Sequence, residues 1–273
     1  MTDEHFGVTE AASWIAVPEE GDDKYSRGVV GFVTGSPRYP GAAVLGVEAA
    51  LRTGVGMVRY IGPDSAAGLV LARRPEAVAA PGRVQAWVLG SGQDASAREE
   101  AEANRLYDAL AEGLPTVLDG GALDLHASAR GPLVLTPHAR ELARLTGESV
   151  EAIIADPATA ALSAADRFGA VVLLKGHTTH LADPGGALLR VRSAPAWLAT
   201  AGAGDALAGV LGALVATHHE RLAADSRALL PLAAAAAVIH GLAAERASAG
   251  GPFTILDLCV ELPHVVRALL VYG

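Results

Sequence analysis

The sequence predicts an α/β fold with a central, mostly parallel sheet, helices on both faces and one small β-hairpin. Three observations carry that reading. Short apolar runs alternate with longer amphipathic ones, polar residues recur at the carboxyl ends of those short runs, and one glycine-rich turn opens a strongly apolar helix.

Residues 29–34, 56–61, 86–89, 116–118, 133–135 and 171–174 have the length and β-branched content of strands buried on both faces. Between them, residues 42–53, 95–112 and 137–146 repeat apolar positions at helical spacing and carry charge on the opposite face. Residues 179–182 and 188–191 flank Asp183-Pro184-Gly185-Gly186, which reads as a hairpin with a turn-rich loop and Asp183 as a turn former. The remainder is helical over 204–217, 227–248 and 256–270. No repeat or linker interrupts residues 1–273, so one domain is expected.

Composition narrows the function classes. Alanine supplies much of the 51% hydrophobic content, and no uninterrupted apolar run reaches about 18 residues, so no membrane-spanning helix is expected. The formal net charge of −9 argues against broad binding to nucleic acid or to anionic membranes. The polar, acidic start Met1-Thr2-Asp3-Glu4-His5 lacks the pattern of a secretory signal, which points to the cytoplasm. Cys259, the single cysteine, sits in an apolar stretch and reads as a core residue. Trp14, Trp87 and Trp197 form no stacking array and read as core or rim packing.

The most informative segment is Thr200-Ala201-Gly202-Ala203-Gly204-Asp205. Its glycines let backbone N–H groups approach a ligand, and the helix that follows points its positive end at the same spot. An anion, and a phosphate in particular, fits there. Asp205 would repel a phosphate, so it reads as a proton acceptor for a substrate hydroxyl; spacing alone equally allows a plain helix cap.

Other polar signals share the carboxyl edge of the sheet, where open α/β folds place their ligand crevices. Asp119 follows one strand, Thr136-Pro137-His138 another, and Lys175-Gly176 a third. Lys175 suits a phosphate, with Thr178 or Thr179 supplying hydroxyl donors. Thr136 reads as a cap and Pro137 as the opening residue of a helix. His138 suits either a substrate hydrogen bond or simple solvation, and Glu141 a surface pair with Arg140 or Arg144. His177 and His180, three apart on an extended segment, point to opposite faces and do not read as a metal pair. Gly35-Ser36-Pro37-Arg38-Tyr39-Pro40-Gly41 is a ligand loop or an ordinary turn; it lacks the Lys-Ser/Thr of a P-loop. Lys24 and Arg27 stand just before the first strong strand, where either cation could meet an anion.

Taken in order, Lys24-Tyr25-Ser26-Arg27-Gly28, Gly35 through Ala43, Ala50-Leu51-Arg52-Thr53-Gly54-Val55-Gly56, Thr136-Pro137-His138 with Glu141, Lys175-Gly176 and Gly202-Ala203-Gly204-Asp205 resemble the ADP-dependent NAD(P)H-hydrate dehydratases, a carbohydrate kinase-related branch of the ribokinase-like superfamily. The resemblance implies a ribokinase-like fold and ADP-dependent dehydration of the S-form of NADH hydrate and NADPH hydrate, returning the coenzymes with AMP and phosphate. It implies nucleotide binding by Lys175, Gly176, His177, Thr178, Thr179 and Gly204. The hydrated ring would be contacted by Ala42, Ala43, Gly92, His138 and Asp205.

Asp205 would be the catalytic base and Gly202, Ala203 and Gly204 the anion hole. ADP is the implied co-substrate, and Mg²⁺ between the phosphates would offset their repulsion from an acidic protein. No metal-ligand set is assigned. A homo-oligomer, with a tetramer as the example, and a separate epimerase acting on the same substrate complete the expectation. The turn departs from the family pattern at Ala201 and Ala203, and Ala139-Arg140 follows the histidine where a glycine is usual. The same Gly-x-Gly-Asp turn also resembles the anion hole of sugar and vitamin kinases, and a ribokinase-like small-molecule kinase is the alternative.

Overall fold

A computed structural model describes residues 3–192 and 194–272. Among the described residues, nine strands form one sheet. They are β1 (Asp3–His5), β2 (Val29–Val33), β3 (Met57–Tyr60), β4 (Ala86–Leu89), β5 (Thr116–Leu118), β6 (Leu133–Leu135), β7 (Val171–Leu174), β8 (Thr179–Ala182) and β9 (Leu188–Val191). Their order across the sheet is β1-β9-β8-β7-β6-β5-β4-β2-β3. Every pairing is parallel except the two made by β8, the β7–β8 pair and the β8–β9 hairpin.

Alternate residues of the strands from β2 onward feed two cores. Val30 and Phe32 of β2, Val88 of β4 and Leu173 of β7 join one, packed under α2 (Gly41–Thr53), α8 (Ala203–Thr217), α10 (Leu229–Ser248) and α11 (Ile255–Tyr272). Val29, Val33, Leu89, Val172 and Leu174 join the other, under α4 (Glu100–Ala111), α5 (Ala139–Thr146) and α7 (Pro157–Phe168). Burial on both faces explains why the strands read as continuous apolar runs rather than alternating ones.

The α2–α8 crossing fixes the position of the glycine-rich turn. A side chain at Gly209 of α8 would collide with the Gly46 carbonyl of α2, so the backbones meet directly. At the amino end of α8, Gly202 adopts φ 93°, and a Cβ there would lie 2.5 Å from Leu45 Cδ1. Both observations call for glycine, the second on grounds of conformation as well as space.

Several elements differ from the sequence reading. Residues 95–112 do not form one helix: Asp94 accepts hydrogen bonds from Ser96 N and Oγ, closing a short 3-10 turn, and Arg98 and Glu99 are extended before α4 begins. Helix α5 opens at Ala139 rather than at Pro137, and its cap is His138, not Thr136. Thr136 is buried and donates instead to Asp119 Oδ1 and Leu118 O. Residues 226–228 are a 3-10 turn, capped by Asp225, that leads into α10. Strand β1, helices α1 (Val8–Ala12), α3 (Asp64–Arg73), α6 (Val150–Ala155), α7 and α9 (His219–Ala224), and the 3-10 segment Gly120–Ser128 were not anticipated.

The segment Ser226–Ser248, with mean hydropathy 1.6, is long and apolar enough to cross a bilayer, but 83% of its apolar window is buried inside the protein, as in a core helix. Cys259 is buried as expected, and so is Trp87, whose Nε1 donates to Glu112 Oε2. Trp14 stacks under the Arg221 guanidinium, while Trp197 is half exposed. Asp183 turns the β8–β9 loop by accepting from Ala187 N.

Candidate active site

The carboxyl ends of β5, β6 and β7 and the amino end of α8 border one cleft of about 940 Å³. Asp119 continues β5, and its amide donates to Leu89 O. Lys175 continues β7, and its amide donates 2.8 Å to Pro137 O, which bridges Lys175 to His138 at the end of β6. Strand register therefore sets the spacing of these three residues before any side chain interacts.

Their side chains form a charged cluster. Lys175 Nζ donates to Asp119 Oδ1 over 2.8 Å and lies 3.8 Å from Glu141 Oε2. Asp119 is buried and also accepts from Ser91 Oγ at 2.9 Å and Thr136 Oγ1 at 2.8 Å. Burial opposes its charge, but the Lys175 ammonium and these hydrogen bonds outweigh burial and hold the carboxyl below its ordinary range. Burial likewise opposes the charge on Lys175, and Asp119 and Glu141 overcome it, keeping the amine above its usual value.

Glu141 is not a surface partner of Arg140 or Arg144. It accepts from His138 N at 2.8 Å while its own amide donates 3.2 Å to His138 Nδ1, a reciprocal capping box. In that arrangement Nδ1 accepts, which leaves Nε2 as the ring nitrogen free to donate. The local sequence held the signal, because a carboxylate three residues after a cap is the standard spacing for such a box.

Asp205 occupies the first turn of α8 beside this cluster. Burial, reinforced by the nearby Asp119 charge and only partly countered by Lys175, pushes its carboxyl up to about 6. The residue does not cap the helix, since the cap position is Gly202. A carboxylate poised at that value and facing a cleft suits proton transfer near neutrality. Gly202 caps α8 and Gly204 lies in its first turn, where backbone donors have no intrahelical acceptor, while the Ala203 amide between them makes a long 3.4 Å bond to Thr200 O.

The site residues expected from the sequence separate into two groups. Gly92, His138, Lys175, Gly176, His177, Thr179, and the run from Gly202 to Asp205 all line the cleft. Ala42, Ala43 and Thr178 do not; Ala42 packs behind Gly92, where a side chain at Gly92 would strike its Cβ. Lys24 and Arg27 also lie away from the cleft, Arg27 donating to Gly54 O and Lys24 standing over the Tyr25 ring. Tyr39, from the segment read as a ligand loop or an ordinary turn, lines the cleft, and so do Gln93 and His240, which were not singled out. His240 was legible only as one imidazole in an otherwise apolar helical run.

Among the described residues, no group of three or more His, Cys, Asp or Glu side chains could hold a metal ion. Asp119 is taken up by Lys175, Thr136 and Ser91, but the oxygens of Glu141 and Asp205 line the cleft and are hard donors of the type that Mg²⁺ takes one or two at a time when phosphates supply the rest. Those carboxylates therefore fit an Mg²⁺ that enters with a diphosphate.

Comparison with known proteins places this geometry. The NAD(P)H-hydrate dehydratase family matches residues 30–258. A bifunctional NAD(P)H-hydrate repair enzyme Nnr of Mycobacterium tuberculosis is 45% identical over 224 residues, covering 78% of this chain; the chain spans 46% of that relative's length. An ADP-dependent (S)-NAD(P)H-hydrate dehydratase of Xanthomonas campestris is 38% identical over 231 residues, 76% of this chain and 79% of the relative. The crystal structure of the ADP/ATP-dependent NAD(P)H-hydrate dehydratase of Bacillus subtilis superposes with a TM-score of 0.85 at 24% identity, covering 98% of this chain and 99% of that one. A ribokinase-like superfamily protein of Enterococcus faecalis superposes with a TM-score of 0.84 at 20% identity, over 97% and 96% of the two chains. The fold is ribokinase-like, and with the family matched over most of its length the chain belongs to the NAD(P)H-hydrate dehydratases.

Proposed function

We propose that this protein uses ADP to dehydrate the S-form of NADH hydrate and NADPH hydrate, returning NADH and NADPH with AMP and phosphate. The observation that carries the reading is Asp205, a carboxyl raised to about 6, set in the anion-binding first turn of α8 beside Lys175. Hydroxide is a poor leaving group, and transfer of a phosphoryl group to the hydrate's 6-hydroxyl makes the oxygen a good one.

Asp205 accepts the hydroxyl proton as that oxygen attacks the β-phosphorus of ADP. The bond from the β-phosphorus to the bridging oxygen breaks, and AMP leaves. The ring C–O bond then breaks, phosphate departs, and the neighbouring carbon gives up a proton to restore the double bond. The amides of Gly202, Ala203 and Gly204 meet the negative charge on the transferred group, and Lys175 supplies a fixed positive one. Mg²⁺, held by the diphosphate and by cleft carboxylates such as Glu141, would neutralise phosphate charge when bound.

In this reading the nucleotide lies along Lys175–Thr179 and Gly204. The hydrated ring lies toward Gly92 and His138, with Ala42 and Ala43 supporting that wall from behind. Residues 1–273 act as one domain, and a cytoplasmic homo-oligomer working with a separate epimerase completes the proposal. The bifunctional relatives, about twice as long as this chain, support a second activity acting alongside this one.

Product analysis tests the reaction against phosphorylation alone. Incubation with NADH hydrate, ADP and Mg²⁺ should release AMP, phosphate and NADH in equal amounts. A phosphorylated hydrate accumulating without NADH would instead mark a kinase.

A further inference from the structure

A second, smaller recess of about 340 Å³ lies against the cleft. Tyr39 and Gln93 line both spaces, so these two residues form the partition between them. The partition is tied in place. Ser36 Oγ donates 2.8 Å to Gly92 O and accepts from Tyr39 N, while Gln93 Nε2 donates 3.3 Å to Val33 O. Gly92 and Gln93 adjoin the wall that the proposed function gives to the hydrated ring. Among the described residues, none of Lys175–Thr179 or Gly202–Gly204 lines the recess. It therefore belongs to the substrate side of the cleft and not to the nucleotide side.

That position selects what can reach it. The hydrated ring is one end of a dinucleotide, so the group that extends from it past Tyr39 is the same molecule's other half. A space of about 340 Å³ falls within the range of small-molecule sites. Its charged lining is mixed but mainly acidic, with the carboxylates of Asp64, Asp94, Glu99 and Glu102 against the guanidiniums of Arg38 and Arg105. Burial raises the Glu102 carboxyl; with Glu102 neutral, the other three carboxylates still outnumber the two guanidiniums. Asp64 and Glu99 are exposed, and among the described residues neither side chain makes a hydrogen bond or an ion pair, so both are open to a ligand's donors.

Such a lining suits ribose hydroxyls and an amino group, which donate, better than a phosphate, which only accepts and repels carboxylates. Dinucleotide sites tell the two coenzymes apart on this basis: a carboxylate accepts from a free 2′-hydroxyl, whereas a 2′-phosphate calls for a cation. We propose that the recess takes the adenosine half of the dinucleotide hydrate, with its 2′-hydroxyl among the carboxylates, so that NADH hydrate is preferred over NADPH hydrate. The inference rests on the proposed dehydration of these hydrates and deepens it by naming the coenzyme form that the site favours.

Steady-state kinetics of the full chain with ADP and Mg²⁺ should compare NADH hydrate, NADPH hydrate and the hydrate of reduced nicotinamide mononucleotide, which lacks adenosine. The wild type should favour NADH hydrate over NADPH hydrate about tenfold in kcat/KM, the size expected of two or three solvent-screened like-charge contacts. Glu99→Arg should shrink that ratio about three- to tenfold by lowering KM for NADPH hydrate. Ala101→Phe fills the recess from an exposed position on α4 and should raise KM for both dinucleotide hydrates about tenfold, while its rate on the mononucleotide hydrate stays at the wild-type value. A variant damaged in fold or chemistry would instead lose all three substrates. If the hydrates are restored but Ala101→Phe leaves both dinucleotide KM values unchanged, or Glu99→Arg leaves the ratio unchanged, the inference fails alone. A wild-type ratio at or below one also overturns it. If none of the three hydrates is restored, the proposed function fails and the inference falls with it.

Discussion

The Lys175 ammonium stands 2.8 Å from Asp119 Oδ1 at the floor of the cleft, with Asp119 buried beneath it. The pair therefore does two jobs. It satisfies a carboxylate that the sheet has taken out of water, and it presents a held positive charge to whatever lies above. Asp119 in turn raises Asp205 through like-charge repulsion, while Lys175 lowers it. The three residues therefore form one electrostatic unit.

Lys175→Met tests that unit. Loss of the ammonium leaves Asp119 buried without its ion partner and removes the fixed cation from the nucleotide side. Breaking a buried pair of this kind costs about 3–5 kcal/mol in the interior. Because the Lys175 side chain is 21% exposed and water can reach Asp119 in the variant, about 1–3 kcal/mol is the expected loss. Denaturant unfolding measures it, and nucleotide titration should show weakened binding in the same protein.

The pH dependence follows from Asp205. As a base it must be ionised, so kcat/KM should rise about tenfold per pH unit below 6 and level off above it. Asp119→Asn removes the like charge that helps raise Asp205, so the acid limb should move to lower pH. An unmoved limb would assign the titration to another group.

Stability should run the other way. Asp205 is raised from an ordinary 3.8 to about 6 by the fold, so its stabilising contribution is complete below 3.8 and disappears as pH rises through 6. At pH 7 the folded protein carries an unfavourable buried charge that Asp205→Asn removes. The variant should be more stable at pH 7 by about 1–3 kcal/mol and equal to the wild type near pH 3.5. Its kcat should fall about 10²- to 10⁴-fold, the range of general-base catalysis. Thermal unfolding at the two pH values checks the first claim and steady-state kinetics the second.

The helix crossing offers a test away from the charged cluster. Gly209→Ala places a methyl group against the Gly46 carbonyl and should cost about 1–3 kcal/mol by forcing α2 from α8. Gly202→Ala adds a Cβ at φ 93° and 2.5 Å from Leu45 Cδ1, so it should both destabilise the protein and weaken nucleotide binding. The two variants differ in the second readout if the anion site resides in the Gly202 turn.

The strands from β2 to β7 were legible because burial on both faces leaves short apolar runs, and β8 and β9 because Asp183-Pro184-Gly185-Gly186 marks the turn between them. Strand β1 was not, since Asp3-Glu4-His5 is polar and is held by register against Leu188–Arg190 of β9 rather than by its own pattern. Asp119 and Lys175 were visible as polar residues ending strands, although their mutual pairing depends on β5 and β7 flanking β6, which sequence order does not dictate. Thr136 and His138 exchanged the expected capping role because the Thr136 hydroxyl is drawn into the core by Asp119. His240 stood out only as one imidazole in an apolar run; its position in the cleft comes from the packing of α10 on α8.

The central claim is best tested by following absorbance at 340 nm after purified protein is mixed with NADH hydrate, Mg²⁺ and ADP, beside the same mixture containing Asp205→Asn. The account predicts ADP-dependent recovery of NADH by the wild type and almost none by the variant. Recovery at the wild-type rate in Asp205→Asn, or no recovery by the wild type with either ADP or ATP, would contradict it.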